Sequence, residues 1–346
     1  MNWFEQKILG LFVKTRGRLS KPILAGKGLI FMLHRVLPEN EREQYTLNRD
    51  LAISPDKLEE YILFFKQQDY DFISLDELSN WLDGKIKLHK KFVCLTFDDG
   101  YRDNLIHGLP ILKKHQVPAT IYVTNCLPNG IGLLWWYYFE EFANKANRLI
   151  LDSSIGKVEF CWKNLNDAFS QFQQVSEAIK SIPSKELHQV LKSSFQLTNE
   201  EIEKQCREIS LTWDEIKLLS TEPLITIGAH TMNHVCVKQQ NDQLVREEIL
   251  NSKIEIESKI GQTVNHFAYP FGGTFDVDSQ AFEIVKRVGY KTATLNQPGN
   301  IFKSNMHSKF ALARMPLGNR IDDERMNYYL NGIYHFSVNG FTKNLY

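Results

Sequence analysis

The sequence predicts an α/β protein built on a parallel sheet curled into a barrel. Three observations carry that expectation. Seven short runs are apolar almost from end to end and are separated by helix signals. Such runs read as strands buried on both faces, and repeated β-α units imply a parallel sheet with right-handed crossovers. Polar residues also collect where the runs end: His34, Asp98, Asp99, His230 and, in the last run, Arg314. In a barrel those ends converge on one mouth, so residues far apart in sequence meet there. Finally, 346 residues suffice for one such barrel or for two smaller domains.

Taken in order, the first run is Gly28 to His34. Ser54-Pro55-Asp56 then supplies a cap, a first-turn proline and a first-turn acid, and Leu58, Tyr61, Ile62 and Phe65 form the apolar stripe of the helix that follows. Ser74-x-x-Glu77 is a capping box for a short helix stopping at Gly84. The run Phe92 to Phe97 leads straight into Asp98-Asp99-Gly100. A helix over Leu105 to Gln116 and a strand over Pro118 to Thr124 come next. From Leu127 to about Leu211 the pattern becomes polar and helical after the cluster Trp135-Trp136-Tyr137-Tyr138-Phe139, which reads as a helical insertion. Thr212-x-x-Glu215 caps another helix. Strands at Leu224 to His230, His266 to Pro270, Tyr290 to Leu295 and Leu312 to Pro316 alternate with helices at Asp242 to Ile260 and Asp276 to Val288. The expected organisation is an N-terminal amphipathic segment over 1–27, a barrel over 28–325 with the insertion at about 127–211, and a C-terminal tail over 326–346.

Composition narrows the function. The formal net charge is zero, which argues against a nucleic-acid-binding surface. Five scattered cysteines without a CxxC pair suggest a reduced, cytoplasmic protein. The apolar stretch within Met1 to Arg18 is too short for a signal-peptide core or a membrane span. It reads as an amphipathic helix packed on the body or, with Lys7, Lys14, Arg16 and Arg18, as a peripheral membrane helix. Oligomeric state is not readable.

Asp98 and Asp99 are adjacent on a strand tip, so their side chains diverge and divide two roles: one can bind a cation and the other take a proton. Helix capping explains one such aspartate well and two poorly. His230-x-x-x-His234 puts two imidazoles on one face if the segment is helical. One carboxylate and two imidazoles make a three-ligand site with open positions, suited to zinc and also to iron, cobalt or nickel. Its work would be Lewis-acid polarisation of a carbonyl and acidification of a water.

Thr96-Phe97-Asp98-Asp99-Gly100 together with His230-Thr231-x-x-His234 resembles the polysaccharide deacetylases of carbohydrate esterase family 4, the NodB-like domain, from about Leu29 to about Arg320. The resemblance implies a distorted (β/α)7 barrel. It makes Asp98 the general base, Asp99, His230 and His234 the metal ligands, and Thr231 the hydroxyl that braces the histidine loop. The family's Arg-x-Pro-aromatic motif is Ala268-Tyr269-Pro270-Phe271 here. The Phe271 backbone N–H keeps the oxyanion position, but the arginine that normally pairs with the catalytic aspartate is absent. Arg314 is the replacement, with a surface salt bridge as its alternative. The late Leu-x-His motif is absent too; Met32-Leu33-His34 resembles the early histidine of poly-N-acetylglucosamine deacetylases and makes His34 the general acid, or else a buried hydrogen-bonded histidine. Trp135 and Trp136 are core or, less favoured, a platform for sugar rings. His89, His107, His115, His188, His266 and His307 have no motif context and are read as structural.

These readings converge on a metal-dependent hydrolase that removes an N-acetyl group from an amino sugar in a cell-surface polysaccharide or its lipid- or nucleotide-linked precursor. Rivals are a hydrolase of another non-peptide C–N bond (deformylase- or allantoinase-like), a non-catalytic glycan-binding domain, and an iron oxygenase built on the same ligand triad.

Overall fold

A computed structural model describes residues 24–42, 44–339 and 345–346. Most of the amphipathic segment expected over 1–27 therefore lies outside the described residues. β1 (Gly28–Leu33) is buried at every position. β2 (Arg35–Val36) and β3 (Ala52–Ile53) form a short parallel pair just beyond it. β4 (Tyr70–Phe72) lines the start of β5 (Lys91–Phe97), and β6 (Ala119–Val123) pairs the other side of β5. β7 (Arg148–Ser153) and β8 (Gly156–Cys161) make an antiparallel hairpin of their own. β9 (Ile225–Ala229), β10 (His266–Ala268), β11 (Thr292–Thr294) and β12 (Met315–Pro316) complete the set.

The main sheet runs β11-β10-β9-β6-β5-β1-β12, with β4 attached to β5. Each pair along the path is parallel. Its ends are joined by a parallel bridge between Thr294 and Leu312, where the Leu295 N–H donates to the Leu312 carbonyl at 2.8 Å. This is the distorted seven-stranded barrel that was expected, closed by a bridge and not by a full ladder.

The all-apolar strands hide an alternation. Leu29, Phe31, Leu33, Val93, Leu95 and Phe97 join the core shared with the surrounding helices. Ile30, Phe92, Cys94, Tyr122 and Ala268 form a second cluster, which fills the barrel. Helix Pro55–Gln67 starts at Ser54, whose side chain accepts the Lys57 N–H, and Leu75–Leu82 has the full Ser74/Glu77 capping box. The Thr198/Glu201 and Thr212/Glu215 boxes are present as well, and Gly261 ends Asp242–Ile260 in the left-handed region.

The insertion is helical over Trp135–Lys145, Leu165–Ser170, Phe172–Ser181, Ser184–Ser194 and Asn199–Ile209. It also holds the β7–β8 hairpin, which a reading dominated by helix signals passes over. Its aromatic cluster builds a separate core with Phe160, Trp162, Phe195 and Ile202. The stretch read as a C-terminal tail is folded in large part. Helices Asp323–Asn331 and Ile333–Val338 lie there, with the Tyr329 ring 6.5 Å from Phe31. All five cysteines are free. Among the described residues no helix is long and apolar enough to cross a membrane.

Candidate active site

Parallel strands put their C-terminal ends on one rim, and β5 delivers the two aspartates there. Asp99 (φ 71°) and Gly100 (φ 75°) both adopt left-handed backbone, which reverses the chain and turns Asp99 away from Asp98. The Asp98 N–H continues the ladder to the Leu33 carbonyl at 2.9 Å. Its carboxylate accepts two parallel bonds from Arg314, Nη1 to Oδ1 at 2.6 Å and Nη2 to Oδ2 at 2.7 Å. Arg314 stands one residue before β12, deeper than the strand end where it was expected. Its side chain climbs the barrel past the Leu295 carbonyl (2.9 Å from Nε) and the Thr96 hydroxyl (3.1 Å from Nη1). It is fully buried, so the surface-salt-bridge alternative does not describe it. Burial alone would push the Asp98 carboxyl up, but the Arg314 guanidinium, with smaller contributions from His230 and His34, holds it below the usual carboxylate range.

β9 delivers His230. The segment after it is a loop, not the helix on which a shared histidine face was conditional: Thr231 (φ 62°) and His234 (φ 53°) are both left-handed. That geometry still brings the imidazoles together, with ring centroids 5.1 Å apart. Thr231 does brace the loop, but through its carbonyl, which accepts the Thr124 hydroxyl at 3.1 Å; its own hydroxyl is buried without a partner. Glu248, buried midway along Asp242–Ile260, grips the loop from behind by accepting the Asn233 backbone N–H (2.9 Å) and side-chain amide (2.7 Å).

The donor set fits a divalent ion. One ligand atom from each of Asp99, His230 and His234 lies within 4.8 Å of the others. Asp99 Oδ1 is 3.3 Å from His234 Nε2 and 3.5 Å from His230 Nε2, yet it is buried without a well-formed hydrogen bond. His230 Nδ1 donates to the Ala268 carbonyl at 2.8 Å, which leaves the lone pair on Nε2, the atom facing Asp99. Burial pushes the His230 imidazole down to about 4, so it is neutral and able to ligate at physiological pH. Burial would push the Asp99 carboxyl up, but the neighbouring His234, with His34 and His230, holds it well below the usual range.

The third motif follows β10. Phe271 (φ 61°) and Gly272 (φ 62°) form a tight left-handed turn, and the Phe271 ring stands edge-on to His234 with centroids 5.0 Å apart. Asp98, Asp99, His230, His234, Phe271 and His34 line one pocket of about 510 Å³. His34 is partly buried on its wall. The adjoining Arg35 pairs with Asp103 at 2.8 Å and lies 5.0 Å from the centre of the Tyr101 ring, which anchors the backbone at His34. The insertion contributes Trp135, Trp136, Phe172 and Ser176 to the pocket, and the Trp136 ring lies 5.2 Å from that of His234. Both indole N–H groups are buried without partners. Core and pocket wall are thus one role for these two residues. His89, His107, His115, His188, His266 and His307 are not among the lining residues.

Two supports escape a reading of the sequence. Glu140 of the insertion accepts the backbone N–H groups of Thr46, Leu47 (2.8 Å) and Asn48 (3.2 Å), fixing a loop whose Leu47 and Asn48 line the pocket. Glu248 is the other. Neither has a local motif, because their partners lie on other elements.

The architecture defines a class: a parallel α/β barrel with an aspartate pair and two histidines on the rim where the strands end. The family model described as polysaccharide deacetylase matches residues 85–129 and 186–293, less than half of the chain, and these two segments hold Asp98, Asp99, His230, His234 and Phe271. Over these segments the chain is similar to the polysaccharide deacetylase family. A Bacillus subtilis protein provisionally named a polysaccharide deacetylase is 33% identical over 112 residues, which is 32% of this chain. The match spans only about a third of that relative (34%). A Streptococcus pyogenes deacetylase solved in complex with acetate has a TM-score of 0.55 at 18% identity, over 88% of this chain and 97% of that one. A de-N-acetylase from Aggregatibacter actinomycetemcomitans gives 0.55 at 15% identity, over 87% and 99%. These likenesses are of fold.

Proposed function

We propose that the protein is a metal-dependent deacetylase acting on an N-acetylated amino sugar in a polysaccharide or its precursor. The observation that carries this reading is the division of labour between adjacent aspartates. Asp99 shares a cluster with two histidines, while Asp98 is held apart by Arg314. Asp99, His230 and His234 would hold the ion; when bound, a divalent cation such as zinc supplies Lewis-acid polarisation and makes a water more acidic.

The protein's own groups do the rest. Asp98, kept ionised and oriented by Arg314, takes a proton from the attacking water. The Phe271 backbone N–H donates to the oxyanion that develops on the acetyl oxygen. His34, on the pocket wall, protonates the departing amine. The aromatic wall of Trp135, Trp136, Phe172 and Phe271 excludes water and offers faces for a sugar ring. A cytoplasmic site of action with peripheral membrane contact, and a lipid- or nucleotide-linked precursor as substrate, belong to the same proposal.

The test is acetate release from acetylated amino-sugar oligomers by protein of known metal content. Release that requires one equivalent of metal and is lost in Asp98→Asn supports the reading. Full metal occupancy with no release of acetate from any acetylated amino-sugar substrate overturns it.

A further inference from the structure

The family match stops at residue 129 and resumes at 186, and the stretch between them sends one buried cation to the back of the Phe271 turn. Lys180, on Phe172–Ser181, has a side chain only 8% exposed. Its ammonium lies 2.9 Å from Asp276 Oδ1 and 3.0 Å from Glu177, and 4.9 Å from the centre of the Phe271 ring. Asp276 completes a chain of contacts: its Oδ2 accepts the Gly273 N–H at 3.0 Å. Lys180 therefore holds the turn at two points, the ring of Phe271 and, through Asp276, the backbone two residues later.

That turn needs holding. A left-handed conformation costs a non-glycine residue roughly 1–2 kcal/mol, and such strain persists only where the surroundings over-determine it. Phe271 is left-handed, and the next residue offers no slack: a Cβ on Gly272 would lie 2.6 Å from the Asn296 nitrogen. The segment is wedged between β11's exit on one side and the Lys180–Asp276 pair on the other.

We propose that Lys180 is a positioning residue for deacetylation: the insertion uses it to lock the Phe271–Gly273 turn, and so the Phe271 N–H, in its working geometry. The proposal rests on the oxyanion role assigned above to that N–H. It predicts that the insertion takes part in turnover as well as in forming the pocket wall.

Two variants test it. Lys180→Met keeps length and apolar stem, and Lys180→Arg restores the charge. With zinc-loaded protein and an N-acetylglucosamine tetrasaccharide, Lys180→Met should lower kcat by about tenfold to a hundredfold while KM stays within about twofold, as expected when a transition-state donor is displaced. Lys180→Arg should recover most of that loss. Without substrate, in metal-free protein, amide hydrogen exchange across residues 271–276 should quicken in Lys180→Met and Asp276→Asn alike and stay slow in Lys180→Arg. Unchanged exchange in that segment, a rise in KM alone, or a fall in kcat that arginine does not recover would each overturn the proposal. A wild-type protein that releases no acetate would refute the deacetylase reading, and the exchange arm would still decide whether Lys180 holds the turn.

Discussion

Replacing Arg314 by methionine removes the partner of a buried carboxylate without leaving a large void. Four hydrogen bonds go: two to Asp98, one to the Leu295 carbonyl and one to the Thr96 hydroxyl. Breaking a buried pair on one side typically costs about 3–5 kcal/mol, because the remaining charge is stranded. Arg314 is 0% and Asp98 3% exposed, so solvent offers no relief and a loss of about 4 kcal/mol near neutral pH is expected. The pH dependence has a definite sign. In the wild type the folded Asp98 pKa lies below its unfolded value, so the pairing stabilises above the unfolded value and fades as pH falls through the folded one. Without Arg314, burial is the largest remaining influence and raises the folded pKa above the unfolded one. The carboxyl is then tolerated when protonated, and the deficit grows as pH rises through that raised value. Urea unfolding of metal-free wild-type and Arg314→Met protein, followed by circular dichroism at about pH 5 and about pH 8, measures this; the deficit should be smaller at the acid end by at least ~1 kcal/mol, the equivalent of less than one pKa unit. A deficit below ~1 kcal/mol at both, or one independent of pH, would refute the account of Arg314 as the counter-ion of Asp98.

Asp98→Asn should keep its metal while kcat falls by roughly 10²–10⁴, the usual worth of a general base; metal lost as fully as in Asp99→Ala, measured by atomic emission, would break the division of labour. His34→Ala should lower kcat by a similar factor of roughly 10²–10⁴ on an amide substrate, with metal content and unfolding midpoint unchanged; near-wild-type turnover would assign the acid elsewhere. Chelation should abolish activity and one equivalent of zinc restore it, whereas His234→Ala should show weakened zinc binding by competition with a chromophoric chelator; unweakened binding would remove His234 from the ligand set.

The barrel was legible because its strands are buried on both faces: β1 and β5 have hardly a polar residue to confuse the pattern. The β7–β8 hairpin was not, because β8 is exposed at all but Phe160 and the surrounding insertion is rich in helix signals. Leu149 and Leu151, buried in alternation beside the Ser153–Gly156 turn, were the available signal. The Asp99–His230–His234 cluster was legible in the spacing of the two histidines, but not its backbone. Three residues between histidines suit a helix turn equally well, and only the left-handed angles at Thr231 and His234 distinguish the loop. Arg314 was legible by position, since the last strand of a barrel borders the first. Lys180, Glu140 and Glu248 were not. Each is a charge on an amphipathic helix whose partner lies on another element, and local pattern assigns such a residue to the solvent.

The route by which the guanidinium reaches Asp98 also constrains how this barrel can change. Ala268 packs with Tyr122 inside the barrel, and the Arg314 guanidinium lies 5.7 Å over that same ring. The space above Tyr122 is thus already taken by one cation. An arginine restored at Ala268 would find the carboxylate already doubly bonded and would confine a second positive charge in the same volume. Positions 268 and 314 are therefore expected to be coupled: Ala268→Arg should be tolerated better together with Arg314→Met than alone.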